Sequence, residues 1–227
     1  MRVGLNYQNF LLVLGDAPDG SPRGIAPDLA RELGRRADLE IEFVRFAKAG
    51  LLADAVQDDA WDVAFLGSEP ARAQQIAFSA AYLEIPVTFL VPPGSPIRRV
   101  RDVDAEGVRI AVAEKSAYDL FLTRHMKKAR LMRVAGIDES FDLFRDEKLE
   151  ALSGLKPRLV ADQARMPGSR ILDGEVSAVQ QSVGTPRARG AAAEFLRAFV
   201  EDAKASGLVE RTIRMHGIDG VRVAPPA

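Results

Sequence analysis

Asp62-Val63-Ala64-Phe65-Leu66-Gly67-Ser68-Glu69-Pro70-Ala71-Arg72 carries the strongest fold signal in the chain. Four consecutive apolar residues stand between an acid and a Gly-Ser pair. A run this short, apolar throughout and not alternating, reads as a strand covered on both faces, as in a parallel sheet flanked by helices. Working back from it, residues 2–5 form a short buried strand and residues 6–9 an irregular stretch. Residues 16–24 hold two prolines and two glycines and form a turn-rich loop. Pro27 and Asp28 then open a helix on which Leu29, Ala30, Leu33 and Ala37 recur at helical spacing, with Arg35 and Arg36 late. Residues 40–46 alternate as a strand, and 51–56 form a second helix.

Working forward, the apolar run 85–91 ends at Pro92-Pro93-Gly94, and a second strand–helix set begins. A strand is expected over 108–112 and a helix over 116–126 with Ser116 as N-cap. A further strand is expected over 158–161, ending at Asp162, and another over 176–183. The chain closes with a helix over 188–205, carrying Ala192, Phe195, Leu196 and Phe199 on one side, and a short helix over 207–216. Two similar strand–helix halves without a 20–50-residue repeat imply an α/β fold of two lobes, not a solenoid.

Composition narrows the function classes. Apolar residues make up 47% of the 227, enough for buried cores, and 31 Lys plus Arg balance 32 Asp plus Glu to a net charge of −1. That balance gives no one-signed face for nucleic acid. The clusters Arg98-Arg99-Val100-Arg101 and Lys127-Lys128-Ala129-Arg130 read as solvated faces. Cysteine is absent, which removes disulfides, thiolate nucleophiles and Cys-based metal sites. His125 and His216 are far apart in sequence, with no carboxylate pair at ligand spacing, so neither a metal site nor a Ser-His-Asp triad is expected. No cofactor and no catalytic constellation is expected either. No charged and apolar leader precedes the first strand, and no apolar run approaches the ~20 residues of a membrane helix. The protein is therefore expected in the periplasm if the chain is a trimmed mature form, and in the cytoplasm if Met1 is the native start.

Three blocks carry a resemblance. Gly24-Ile25-Ala26-Pro27-Asp28-Leu29-Ala30 resembles the helix entry of the family 3 extracellular solute-binding proteins, the polar amino-acid receptors of ABC importers. Asp62–Gly67 followed by Arg72-Ala73-Gln74-Gln75-Ile76-Ala77-Phe78-Ser79 and Tyr82 is similar to that family's most specific stretch. Residues 108–112 with Lys115-Ser116 resemble the first strand and helix of its second lobe. The resemblance spans essentially the whole chain. It implies a two-lobed type II periplasmic-binding-protein fold, with residues 1–88 plus 180–227 as a first, discontinuous lobe and 89–179 as a second. Crossover strands would lie at 84–91 and 176–183, and hinge closure around a ligand is the expected motion.

The same resemblance assigns roles. Arg72 matches the carboxylate-binding arginine, whose planar guanidinium gives a carboxylate two parallel N–H bonds. Gly67 and Ser68 would add backbone N–H groups at a strand end, and Ser116 and Ala117 would add those of a helix start. Asp162 matches the acid that takes a ligand ammonium, while Tyr7, Asn9 and Phe10 lie where the family places a wall. Each residue has a plainer reading: Arg72 as a solvated arginine on an Ala/Gln-rich helix, Asp162 as a cap, Ser116 as an N-cap alone, Phe10 as core, and Trp61 as packing. Departures from the family bear on the ligand. The segment Gly67–Ala71 is about two residues short and brings Glu69 toward the cleft. Tyr7-Gln8-Asn9-Phe10 replaces a Pro-Pro-Phe wall, and Lys156-Pro157-Arg158 stands where an acidic strand start is common.

The function implied is a solute-binding protein clamping a small zwitterionic or carboxylate ligand. An ABC importer permease would be its partner, the chain would be monomeric, and no chemistry is expected. The first alternative is a dehydratase-like enzyme on the same fold, with Glu69 or Glu84 as an acid whose pKa burial raises. The second is a cytoplasmic ligand sensor.

Overall fold

The N-terminal strand forms as β1 (Arg2–Asn6), with Val3, Gly4 and Leu5 buried. The computed structural model describes every residue, Met1–Ala227. Two units emerge from it: Met1–Glu84 with Gln180–Ala227, and Ile85–Val179.

In the first unit, α1 (Ile25–Ala37) opens at Gly24, whose φ of 129° lies where L side chains are strained. A Cβ there would stand 2.4 Å from the Leu12 carbonyl oxygen. Both backbone angle and space therefore dictate the glycine of the helix entry. β2 (Glu42–Phe46) follows, then α2 (Ala49–Asp54), which runs into a 3-10 turn at Ala55–Asp58. β3 (Val63–Gly67) is buried at every residue. β1 pairs in parallel with both β2 and β3, so Leu5 lies opposite Arg45 and Phe65. Trp61 is fully buried, packs with Leu52, Ala64, Leu66 and Ile76, and donates from Nε1 to the Leu52 carbonyl at 2.9 Å. Its role is packing. A 3-10 turn at Arg72–Gln74 then leads into β4 (Ile76–Val91), and the unit boundary falls inside that strand.

The second unit continues with β5 (Arg109–Ala113), α3 (Ala117–His125) and β6 (Arg130–Val134). It is completed by α4 (Ile137–Asp146), β7 (Ala151–Leu155), α5 (Lys156–Arg165) and β8 (Arg170–Ile171). Its strands run in the order β4-β7-β5-β6; β5 is parallel to β6 and β7, and β7 is antiparallel to β4. Leu90, Ala111, Phe141, Phe144, Leu149, Leu152 and Leu159 form its core. One expected element is corrected here. Residues 158–161 are helical, not extended, and the strand lies earlier, at Ala151–Leu155. Pro157 occupies the first turn of α5, where its missing N–H has no carbonyl to satisfy. Leu159, buried four residues beyond Leu155, then points into the core.

The chain re-enters the first unit along β9 (Ser177–Pro186), which pairs antiparallel with β3, Gly67 opposite Gln181. This unit's strand order is β2-β1-β3-β9. α6 (Gly190–Ala205) and α7 (Leu208–Met215) follow, then β10 (Arg222–Val223), which pairs with β4 at Leu83 and Glu84. The buried face of α6 is Ala193, Leu196, Phe199, Val200 and Ala203. Phe195, expected on the packed side, is 44% exposed, because the stripe is rotated by one residue toward Ala193. No helix is long and apolar enough to cross a membrane.

Candidate functional site

In the first unit, β1 and β3 are parallel neighbours, so the loops after Asn6 and after Gly67 leave the same carboxyl edge of the sheet. Open α/β sheets bind ligands at that edge. Topology thus brings Tyr7, Asn9 and Phe10 to the same edge as Gly67, Ser68, Glu69 and Arg72.

Arg72 is not the solvated arginine of the plainer reading. It is 7% exposed, and its Nη1 donates to the Gly67 carbonyl at 2.7 Å within the tight turn that carries Glu69 and Pro70. Burial pushes its guanidinium down to about 10, opposed by the carboxylates of Glu69 and Asp54. The group remains a cation at neutral pH, with part of its hydration lost and acids of its own unit nearby. The short Gly67–Ala71 segment explains the first contact, since five residues return the guanidinium to the end of the strand it left.

Ser68 corrects an expectation. Its N–H donates to the Gln180 carbonyl at 2.8 Å and its hydroxyl to the same oxygen at 3.3 Å. The β3–β9 ladder runs one residue past Gly67 and takes this N–H, so Ser68 does not offer it to a ligand. Gly67 contributes through its carbonyl, which orients Arg72.

The wall residues divide. Tyr7 donates its phenol to Asp16 Oδ1 at 2.6 Å and accepts from Arg45 Nε at 3.0 Å. Burial and the Asp16 carboxylate raise its pKa, against the opposing effect of Arg45. Asn9 is buried, and its Oδ1 has no hydrogen-bond partner; its carbonyl accepts from the N–H groups of Leu12 and Val13. Phe10 is 38% exposed, which removes the core-packing reading. Tyr82 is a core residue: it meets Phe65 edge to face at 5.8 Å between ring centres, and burial raises its pKa.

In the second unit, Ser116 caps α3, accepting from the Asp119 N–H at 3.1 Å. Ala117, also buried, is the first helical residue. Sequence reasoning missed Asp119, whose signal was the Ser116-x-x-Asp119 spacing of a capping box. Asp119 accepts from the Lys115 N–H and from Arg133 Nε, both at 2.9 Å. It thereby holds Lys115 at φ 54°, a left-handed angle that long side chains seldom adopt.

Asp162 is the second correction. It lies inside α5, is 1% exposed, and is bound by its own helix. Arg158 Nε reaches both carboxylate oxygens, at 3.1 and 3.0 Å, and Arg165 Nη1 reaches Oδ1 at 3.0 Å. The spacings i,i+4 and i,i+3 put both arginines beside the acid, which a strand would not do. This carboxylate is a structural counter-ion between two arginines. The strand that precedes it ends instead at Leu155.

Glu84 is also corrected. Burial acts to raise its pKa, but hydrogen bonds from Gln180 and Arg222 outweigh it and hold the carboxyl below its ordinary range. It is therefore a poor general acid at neutral pH.

The fold matches solved structures along nearly its full length. ArgBP from T. maritima, in a mutant form, is 21% identical, with 95% of this chain and 93% of that one covered and a TM-score of 0.74. A periplasmic binding protein of Salmonella typhimurium, described as highly arginine-specific, is 16% identical over 95% and 97% of the two chains, also with a TM-score of 0.74. The ancestral amino-acid-binding protein AncCDT-1, described as a precursor of cyclohexadienyl dehydratase, is 18% identical over 95% and 94%, TM-score 0.74. At such identities the likeness concerns the fold, which is that of the two-lobed type II periplasmic binding proteins. A family model matches residues 2–216, and with it the chain belongs to the bacterial extracellular solute-binding proteins, family 3.

Proposed function

We propose that this protein binds a small carboxylate-bearing solute of amino-acid size, with Arg72 as the anchor of the carboxylate, and delivers it to an ABC importer permease. One observation carries the reading. A guanidinium 7% exposed stands at the carboxyl edge of a parallel sheet, tethered to Gly67 and partly stripped of water. An anionic ligand group adds to the partners this cation already has, and each such charged hydrogen bond contributes about 1.5–3 kcal/mol. Asn9, with its buried unpartnered Oδ1, supplies an acceptor, and Phe10 an apolar surface. Ser116 and Ala117 offer the first turn of α3 as a second anion-binding element. Closure of the two units is the proposed binding motion, and the chain acts as a monomer outside the cytoplasmic membrane.

Because Asp162 is bound by two arginines, the ammonium of a zwitterionic ligand is assigned to Glu69 in this reading. The experiment is a thermal-shift screen of protein refolded to strip bound solute, against arginine, glutamine, other amino acids, opines and simple carboxylates. A ligand at 100 times its dissociation constant adds about 2.7 kcal/mol of stability. A shift that is lost in Arg72→Ala is expected; a flat screen contradicts the reading. The fold shared with a dehydratase precursor makes turnover of prephenate or arogenate a necessary control. None is expected, and turnover lost in Glu69→Gln would replace binding by catalysis.

A further inference from the structure

The chain passes between its two units twice, after Glu84 in β4 and before Gln180 in β9. Those two boundary residues are joined: Gln180 Nε2 donates to Glu84 Oε1 at 3.0 Å. The other oxygen of Glu84 accepts from Arg222 Nε at 2.6 Å, and Arg222 belongs to the C-terminal strand β10. β10 lies against β4 at this point, with Arg222 opposite Glu84 and Val223 opposite Leu83. The strand is held down beyond the pairing: the Ala224 N–H donates to the Tyr82 carbonyl at 3.2 Å, and Lys204 Nζ to the Pro225 carbonyl at 2.7 Å.

Along β4 the partner changes immediately after this brace. β10 pairs through Glu84, and β7 takes over at Val87. Ile85 and Pro86 lie at the change, and Pro86 has no N–H to continue a ladder. The two crossover strands are hydrogen-bonded neighbours in the sheet, and the Val176 N–H also donates to the Val87 carbonyl at 2.9 Å, so the pair bends together at its soft dihedrals. A side-chain link between the two, itself tied to a third strand, removes that freedom on one side.

We infer that β10 is a strap that locks the two crossover strands together at Glu84 and Gln180, and so confines any bending between the units to Ile85–Pro86 and to the β9 residues before Gln180. Glu84 is thereby a mechanical residue of the hinge. The inference rests on the reading that the units move, but not on the identity of any solute, so its test is made without ligand.

The test is amide hydrogen exchange of the full ligand-free chain, compared with Arg222→Ala and Glu84→Gln. Arg222 is half exposed, so its removal leaves the core intact. Exchange is expected to rise about two- to fivefold in peptides covering residues 82–91 and 177–183, the range expected for losing a partly solvated ion pair at a local opening. Peptides from β1 and β5 keep their rates, as does the whole protein in the control Arg214→Ala, which loses an exposed pair with Glu210 on α7. The strap is overturned if the crossover peptides exchange as in the parent protein. It is equally overturned if exchange rises uniformly, because Arg222 then contributes only general stability.

Discussion

Replacing Asp162 by alanine removes a carboxylate that is 1% exposed and leaves two arginines facing its place. Removing one partner of a buried ion pair costs about 3–5 kcal/mol, mostly through the charge left unpaired. Two features lower that figure here. Arg165 is 43% exposed and can be solvated, and Arg158, 17% exposed, keeps its second partner Asp138. About 2–3 kcal/mol is therefore expected for Asp162→Ala, which moves a urea midpoint by about 1 M. Asp162→Asn, which keeps the volume and one acceptor, loses about half of this, and Arg165→Ala less than about 1 kcal/mol. Equilibrium urea unfolding of the ligand-free protein measures all three. An Asp162→Ala variant within about 0.5 kcal/mol of the parent would refute the structural counter-ion assignment. Unchanged stability together with lost solute binding would return Asp162 to the ligand.

Other consequences are as direct. Trp61→Phe keeps an aromatic ring but leaves the Leu52 carbonyl without its donor; a loss of about 1–3 kcal/mol is expected in chemical unfolding, against about 3–5 kcal/mol for Trp61→Ala. Gly24→Ala puts a Cβ against the Leu12 carbonyl at a φ reserved for glycine, and should cost more than about 2 kcal/mol in the same assay. Acid stability follows from two carboxylates: Arg2, opposed by burial and helped by Arg189, holds Asp62 well below its ordinary range, and Arg35 with Arg36 hold Glu32 at about 2. Their folded pKa values are depressed, so the unfolded chain binds more protons, and the stabilisation is full above about pH 5 and lost as pH falls toward 2. Asp62→Asn should flatten that decline in melting temperatures measured between pH 7 and 2.5; an unchanged slope would contradict the ion-pair assignment.

The parts of the fold that were legible in the sequence have local signals. β3 is an uninterrupted apolar run, α1 begins at a glycine its backbone angle requires, and α3 begins at a serine that caps it. Residues 127–157 were not legible, and the reasons are specific. α4 has Gly136 at its N-cap with no side-chain bond, so no capping residue announces it. β7 reads Ala-Leu-Ser-Gly-Leu, turn-like in composition, and is a strand only because it lies between β4 and β5. β6 reads Arg-Leu-Met-Arg-Val and does not alternate, with Arg130 and Arg133 exposed three residues apart, so no strand period announces it. Pro157 precedes the strand expected over 158–161 and instead begins a helix. At the candidate site the type of anchor was readable and the surroundings were not. The capture of the Ser68 N–H depends on a partner far off in sequence, β9. The neutralisation of Asp162 was within reach, since Arg158 and Arg165 stand at helical spacing on either side of it.

Whether Arg72 holds a carboxylate is read by isothermal titration with a paired ligand set. The solute found by the thermal screen is titrated against the parent protein and Arg72→Ala, each alongside the solute's carboxamide analogue. The parent protein is expected to prefer the carboxylate by at least about tenfold, equivalent to about 1.4 kcal/mol, and Arg72→Ala to lose this preference. Equal affinity of the parent protein for acid and amide, or a preference that survives in Arg72→Ala, would contradict it.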